Sequence, residues 1–443
     1  MMFSTHSSTI YKKAKMVIEK LQKSGFKAYF VGGCVRDSIL GYSLKDIDIA
    51  TSATPEEVSA LFPKTYHIGV AFGIINVIDE SFSFEVATFR KESGYADGRH
   101  PGSVVFAQTP EEDAKRRDFT INALYYDPVS EECLDFTGGV KDLKNGVIRC
   151  IGKAEDRFAE DSLRMLRAIR FASRFGFEID SDILNAIKKL SDRIRLLSKE
   201  RIRDELTKTF TGHFPDRAFQ LLYDTGIMEI IMPEIAAMRG VSQPEKYHPE
   251  GDVFEHTKLM LQKMALPSEE LAWAIILHDV GKPVTKTVDE HGKERFICHA
   301  DKGKDIARDI LERLKFSRLS TENICYAVAN HMRFAVVDEM RPSKYKNIIA
   351  KDTFPMELEL HRIDCISSNG LLQNFVFLLD KIIEQRGQTK LPPSLISGKD
   401  LLKIGLIPGP EFGHILKKIT ELQNDKIINT KEEALEYIKN FEF

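Results

Sequence analysis

The stretch Tyr29-Phe-Val-Gly-Gly-Cys-Val-Arg36-Asp37, followed by Lys45-Asp46-Ile-Asp48-Ile-Ala-Thr51, decides the fold of the N-terminal part of this chain. Phe26–Val31 reads as a strand, Gly32–Gly33 as a turn, Val35–Leu40 as a helical turn and Asp46–Ala50 as a second strand. Side chains alternate along a strand, so Asp46 and Asp48 share one face while Ile47 and Ile49 point into a core. Two carboxylates one pleat apart repel each other unless a cation lies between them, and a magnesium ion that also meets a nucleotide triphosphate resolves that repulsion. In Phe82–Val86 the same alternation buries Phe82, Phe84 and Val86 and leaves Glu85 opposite, a third acid on a neighbouring strand. The Gly32–Gly33 turn offers backbone N–H groups to phosphate oxygens, with Arg36 close by.

Outward from this stretch, Ile10–Lys23 carries apolar residues at helical spacing and stops at Gly25. Further strands are expected at Ile74–Ile78, Phe82–Thr88 and Val104–Phe106, with short ones at Ala123–Tyr126 and Val147–Cys150. From Asp156 onward the pattern is helical, broken by Pro and Gly near 212–215, 240–251, 281–283 and 386–398. The 443 residues suit two to four domains, and 43% hydrophobic residues suffice for more than one core. A net charge of -3 neither requires nor excludes a polyanionic partner. Six scattered cysteines without a CxxC pair read as reduced thiols, no apolar run approaches a membrane span, and the N-terminus lacks a signal-peptide core. The expectation is a cytoplasmic protein that does not enter the membrane.

Five motifs in order, GGCVRDSILG (32–41), KDIDIAT (45–51), KRRDFTINALYYD (115–127), DFTGGVKDL (135–143) and AEDSLRMLRAIRFASRFGF (159–177), resemble the class II tRNA nucleotidyltransferases, a family that also contains bacterial poly(A) polymerases. The resemblance covers the first ~210 residues and implies a multidomain α+β protein with a polymerase β-like head of mixed sheet and helices. It also implies a helical neck and body, and template-independent addition of C and A to the 3′ end of tRNA from CTP and ATP. The expected divisions are 1–150 for the head, 151–245 for the neck and body, 246–385 for a further helical domain and 386–443 for a helical tail. Asp46, Asp48 and Glu85 are the expected catalytic acids with Mg2+, and Gly32, Gly33 and Arg36 line the nucleotide site.

In KRRDFTIN, Arg116 and Arg117 suit triphosphate binding because guanidinium forks match phosphate oxygens, while Asp118 and Asn122 suit either an arginine or the ribose. The glycines of DFTGGVKDL read as a hinge between head and neck. Asp161 and Arg164 stand at i, i+3 near the start of one strong helix, with Glu160 bracing Arg164 at i, i+4 and Arg167 in support. By resemblance Asp161 and Arg164 read the base. Cytosine and adenine each place an amino donor beside a ring-nitrogen acceptor, which an Asp acceptor and an Arg donor match. Guanine and uracil leave those groups unpaired and are rejected. Arg164–Lys208 holds 12 basic against 7 acidic residues, a candidate face for the tRNA backbone.

Glu92–Pro101 is polar and turn-rich, a composition that predicts a mobile loop. Family members that add the terminal A carry such a loop, and Tyr95, Asp97 and Arg99 are its retained residues here. This argues against CC-only addition and leaves full CCA addition or A addition after a partner. Poly(A) polymerase fits less well, since Lys399–Phe443 holds 7 basic against 8 acidic residues rather than a basic tail.

Downstream, His256, adjacent His278-Asp279 at the end of an apolar helix, His299, His331 and Asp364 form a series that resembles the HD superfamily of metal phosphohydrolases. His nitrogen and Asp oxygen suit a second divalent metal of the transition series. The resemblance implies hydrolysis of phosphates or 2′,3′-cyclic phosphates at RNA ends, and a phosphohydrolase with an inactive head is the rival reading of a different class.

Overall fold

A computed structural model describes residues 8–69, 73–95, 101–244, 248–249, 251–384, 391–406 and 408–440. The chain divides into two units, Met1–Pro233 and Glu234–Phe443.

In the first unit α1 (Thr9–Lys23) starts where the Ser8 hydroxyl accepts the Tyr11 N–H, and it buries Tyr11, Ala14, Val17, Ile18 and Leu21 at three- and four-residue spacing. Gly25, at φ +88°, turns the chain into β1 (Ala28–Val31), where Phe30 meets the Tyr11 ring edge-on at 5.6 Å. Then come α2 (Gly33–Ile39), β2 (Ile49–Thr51), α3 (Pro55–Leu61), β3 (Thr65–Gly69), β4 (Ile74–Asp79) and β5 (Phe82–Thr88). A ribbon of β6 (Arg90–Tyr95) and β7 (Pro101–Phe106) precedes α4 (Pro110–Lys115), β8 (Leu124–Asp127) and β9 (Glu132–Asp135).

The seven-stranded sheet runs β3-β4-β5-β2-β1-β8-β9. Within this sheet, among the described residues, only β2 and β5 pair in parallel, with Ile49 opposite Val86, which sets Asp48 beside Glu85. The strand expected over Asp46–Ala50 is shorter than its alternation suggested: Asp46 and Asp48 lie in the extended segment before β2. The alternation itself holds, with Ile47 and Ile49 buried and both aspartates exposed. On β5, Phe84 and Val86 are buried and Glu85 is exposed, but Phe82 is only half-buried.

The polar stretch from Glu92 is a strand as far as Tyr95, not loop, because it pairs with β7 from Arg90 opposite Phe106 to Tyr95 opposite Pro101. Asp97 and Arg99 lie outside the described residues. The DFTGGVKDL segment is clamped rather than hinged. Asp135 accepts the N–H groups of Thr137, Gly138, Gly139 and Val140 at 2.9–3.1 Å and caps α5 (Gly139–Asn145). A Cβ on Gly139 would stand 2.2 Å from the Thr120 carbonyl oxygen.

The helical remainder of this unit begins with α6 (Ala154–Glu160), α7 (Leu163–Phe175), α8 (Ser181–Leu190) and α9 (Lys199–Phe210). In the second unit, helices Val253–Lys263, Glu269–Leu277, His299–Arg313, Arg318–Asn330 and Phe354–Ser367 are joined by a small hairpin of Lys286–Val288 and Glu294–Phe296. The helix Glu269–Leu277 is buried from Leu271 to Leu277 on every face, including the chain's single tryptophan, Trp273. Each such large apolar side chain contributes roughly 1.5–3 kcal/mol on burial, so the residue that ends this helix, His278, is held on a rigid support. The last helices pack around their own core of Leu401, Ile415, Ile419 and Ala434. Among the described residues no helix is long and apolar enough to cross a membrane.

Candidate active sites

The Asp48 carboxyl is pushed up to about 6 by desolvation first, then by the charges of Glu85 and Asp46, with Arg117 alone pulling it down. Asp46, Asp48 and Glu85 are all open to solvent, and an oxygen-seeking divalent ion fits this set.

Arg117 lies between this cluster and the glycine turn: its Nη1 is 3.3 Å from where a Cβ on Gly32 would be. Gly32, at φ +73°, admits that approach, and its own N–H donates to the Leu124 carbonyl at 3.0 Å instead of facing a phosphate. Arg36 also departs from expectation. It is 3% exposed, paired with Asp37 at 2.6 Å, donating to Asn122 Oδ1 and stacked over Phe171 and Phe175 at 5.1 and 4.8 Å. Arg36 therefore braces α2 against α7 rather than offering a free guanidinium.

Asp118 is a junction. It accepts from Asn122 Nδ2 at 3.0 Å and from the Phe119 N–H at 2.8 Å, and pairs with Arg167 at 2.6 Å. Burial pushes its carboxyl up, but Arg167 and these hydrogen bonds outweigh it and hold the group at about 2.

The Glu160–Arg164 segment is not the start of one helix. The chain breaks at Asp161, at φ -140° and ψ 106°, between α6 and α7. Asp161 and Arg164 are thus not an i, i+3 pair on one face: Asp161 pairs with Arg201 at 3.1 Å and accepts the Leu163 N–H at 3.0 Å. Arg164 donates to Glu160 at 2.7 Å, as expected, and to the carbonyl oxygens of Arg157 and Arg116, both at 3.2 Å. The polar ends of Asp161 and Arg164 are each fixed by other groups.

The basic count of Arg164–Lys208 overstates its free charge. Arg164, Arg167, Arg170 and Arg174 are matched by Glu160, Asp118, Glu205 and Asp37. Sequence reasoning missed Asp113 and Arg201. Asp113 had a legible signal, since it stands at i-3 and i-4 to Arg116 and Arg117 and pairs with both, at 2.8 and 3.0 Å. Arg201 lies 40 residues from its partner and had none.

In the second unit all six residues of the HD series converge. His256 Nε2 lies 3.1 Å from Asp364, His278 Nε2 lies 3.1 Å from Asp279, and His299 Nε2 and His331 Nε2 face each other at 3.2 Å. His278, His299 and His331 each turn Nδ1 onto the carbonyl three residues earlier, of Ile275, Phe296 and Val328, at 2.7–2.8 Å. That contact fixes the Nδ1–H tautomer and leaves Nε2 as a lone pair aimed inward. Burial holds His331 down at about 4 and lowers His299 as well.

His278 Nε2 and Asp279 Oδ1 are buried without a hydrogen-bond partner. Ligand atoms of His256, His278 and Asp279 form one compact group and those of Asp279, His299 and His331 another, sharing Asp279. This donor set fits divalent transition metal. A cavity of about 570 Å³, lined in part by Lys282, Phe296, His361 and Asn369, opens onto it.

The sheet with its paired acids and the arginines behind them define a nucleotidyl-transferring head, and the histidine cluster defines an HD domain. Residues 28–149 match the poly A polymerase head domain, 176–239 the probable RNA- and SrmB-binding site of polymerase A, and 251–352 the HD domain. The chain is 36% identical over 438 residues to the CCA-adding enzyme of Ligilactobacillus salivarius, covering 97% of this chain and 96% of that one. With the CCA-adding enzyme of Lactobacillus helveticus it shares 34% over 432 residues, 96% of each. The crystal structure of the Bacillus stearothermophilus CCA-adding enzyme in complex with CTP superposes with a TM-score of 0.75 at 27% identity, covering 98% of both chains. The chain belongs to the CCA-adding enzymes, a family of tRNA nucleotidyltransferases.

Proposed function

We propose that this chain works in the cytoplasm on tRNA, extending its 3′ end with C, C and A from CTP and ATP. The observation that carries this reading is the hydrogen bond from Arg164 to the Arg116 carbonyl, which ties the residue that reads the base to the arginines that suit the triphosphate. Asp46, Asp48 and Glu85 would hold Mg2+, which when bound supplies Lewis acidity for phosphoryl transfer. The tRNA 3′-oxygen attacks the α-phosphate, the bond to the bridging oxygen breaks, and pyrophosphate leaves. Arg117, beside Asp48 and the Gly32 turn, and Arg116 orient the phosphates; Asp161 and Arg164 admit cytosine and adenine. Tyr95, at the end of β6, leads into the segment with Asp97 and Arg99 that we assign to terminal A addition. The head, neck, HD and tail divisions expected from the sequence are retained as the functional parts.

The test offers tRNA ending before CCA, after one C and after CC, each with one labelled nucleotide. Extension of all three is expected, with loss in Asp46→Ala and Asp48→Ala. Extension of the CC end alone would replace this reading with A addition after a separate enzyme, and incorporation retained by both variants would end it.

A second reading concerns the HD cluster, and the inward-aimed lone pairs of His299 and His331 favour it. We assign to it metal-dependent hydrolysis of phosphate or cyclic phosphate at RNA ends. Metal analysis with a phosphodiester assay on His278→Ala tests this, and equal activity in variant and parent would sink it.

A further inference from the structure

Asp113 sits on α4, 1% exposed, and spends its two carboxylate oxygens on four groups. Oδ1 accepts from Arg116 Nε at 2.8 Å and from the Arg90 N–H, at the root of the β6–β7 ribbon, at 3.2 Å. Oδ2 accepts from Arg117 Nε and Nη2 at 3.1 and 3.0 Å and from the Tyr125 hydroxyl at 2.6 Å. Arg117 Nε also donates to the Tyr125 oxygen at 3.2 Å, and its guanidinium lies over the Tyr125 ring at 5.4 Å. The Nε–Nη2 edge of the Arg117 fork and one face of it are therefore occupied, and Nη1 is the nitrogen that lies against Gly32.

An arginine held on two sides loses its rotamer freedom, so one face stays presented in a fixed direction. We infer that Asp113, with Tyr125, is a positioning residue for nucleotidyl transfer: it fixes the direction of Arg117 and the placement of Arg116 without itself meeting the nucleotide. This rests on the assignment of those arginines to the triphosphate. Its reach extends further, because the Arg116 carbonyl is one of the anchors of Arg164.

The test compares Asp113→Asn, Tyr125→Phe, Arg117→Lys and the Asp113→Asn/Arg117→Lys pair in the full chain. Addition of labelled C and A to tRNA ending before CCA is followed over a range of CTP and ATP, with melting curves to confirm folding. Because misplacement of a binding group costs up to about 100-fold, Asp113→Asn is expected to lose about that much and Tyr125→Phe about 10-fold, mainly in kcat with KM little changed. In the Arg117→Lys background the Asp113 change should cost no more than about 3-fold, since both remove one device.

A full additional loss in the double variant, or wild-type kcat in Asp113→Asn, overturns the proposal. Where Asp113→Asn does not fold, wild-type kcat in Tyr125→Phe overturns it equally. If Arg117→Lys itself works at wild-type rate, the triphosphate assignment falls. If Arg117→Lys is slow while Asp113→Asn and Tyr125→Phe run at full rate, only the positioning role falls.

Discussion

Asp118→Asn removes a charge from the junction between the sheet and α7 while preserving side-chain volume. The carboxyl is held at about 2 against an ordinary 3.8, and its side chain is only 10% exposed. At 1.36 kcal/mol per unit that difference corresponds to roughly 2–3 kcal/mol of folding stability at neutral pH. The sign follows from the depressed value: the stabilisation is present above pH 3.8 and is lost as pH falls from 3.8 toward 2.

Amide exchange in Phe119–Tyr126 and in α7, under conditions where exchange follows opening, should accelerate about 60-fold in the variant at pH 7. Trp273 fluorescence during urea unfolding serves as an internal reference, because that residue is buried in the second unit and reports on it alone. Its midpoint should stay where it is. Exchange within 3-fold of the parent, or a gap between variant and parent that widens as pH falls below 3.8, would refute the reasoning.

Three further outcomes follow from the geometry. Since protons compete with metal at Asp48, incorporation at limiting Mg2+ should decline as pH falls below about 6 and should recover when Mg2+ is raised; a rate independent of pH from 7 to 5 at limiting Mg2+ would count against it. Gly139→Ala, facing the Thr120 carbonyl, should destabilise by about 3 kcal/mol as overpacking does. Gly138→Ala, at φ +82° with open space around it, should cost only about 1 kcal/mol, and the opposite ranking in urea midpoints would be wrong for this packing. Metal analysis of the full chain should find two transition-metal ions per HD cluster, both lost in Asp279→Asn and one retained in His331→Gln; a single ion in the parent protein would refute the sharing of Asp279.

Motifs whose chemistry depends on residue type and short spacing were legible before any coordinates. The alternation Asp46-Ile-Asp48-Ile and the acid on β5 face as their patterns implied, because core-facing apolar neighbours leave the polar residues one direction to face, and the six residues of the HD series meet in the second unit. What was not legible depends on partners distant in the chain. Arg36 carries a phosphate-binding look in sequence, but Phe171 and Phe175 on α7 cover it. Arg167, Arg170 and Arg174 of α7 count as free charge until Asp118, Glu205 and Asp37 arrive from elsewhere in the chain. The break at Asp161 is invisible to helical periodicity, since apolar spacing continues through it while the backbone turns out to an extended conformation. Edge strand β9 is short and carries an exposed residue on each face, so it lacks the alternation that marked β4 and β5.

Arg164 is gripped by one side chain and two main-chain oxygens, those of Arg157 and Arg116. Main-chain oxygens do not change when a side chain is replaced, so these two anchors are written in the path of the polypeptide rather than in residue identity. Replacing the Arg116 side chain leaves its carbonyl anchor for Arg164 in place. On the proposed reading, changing which bases are accepted calls for replacing Asp161 or Arg164, or for rerouting the backbone around 116 and 157.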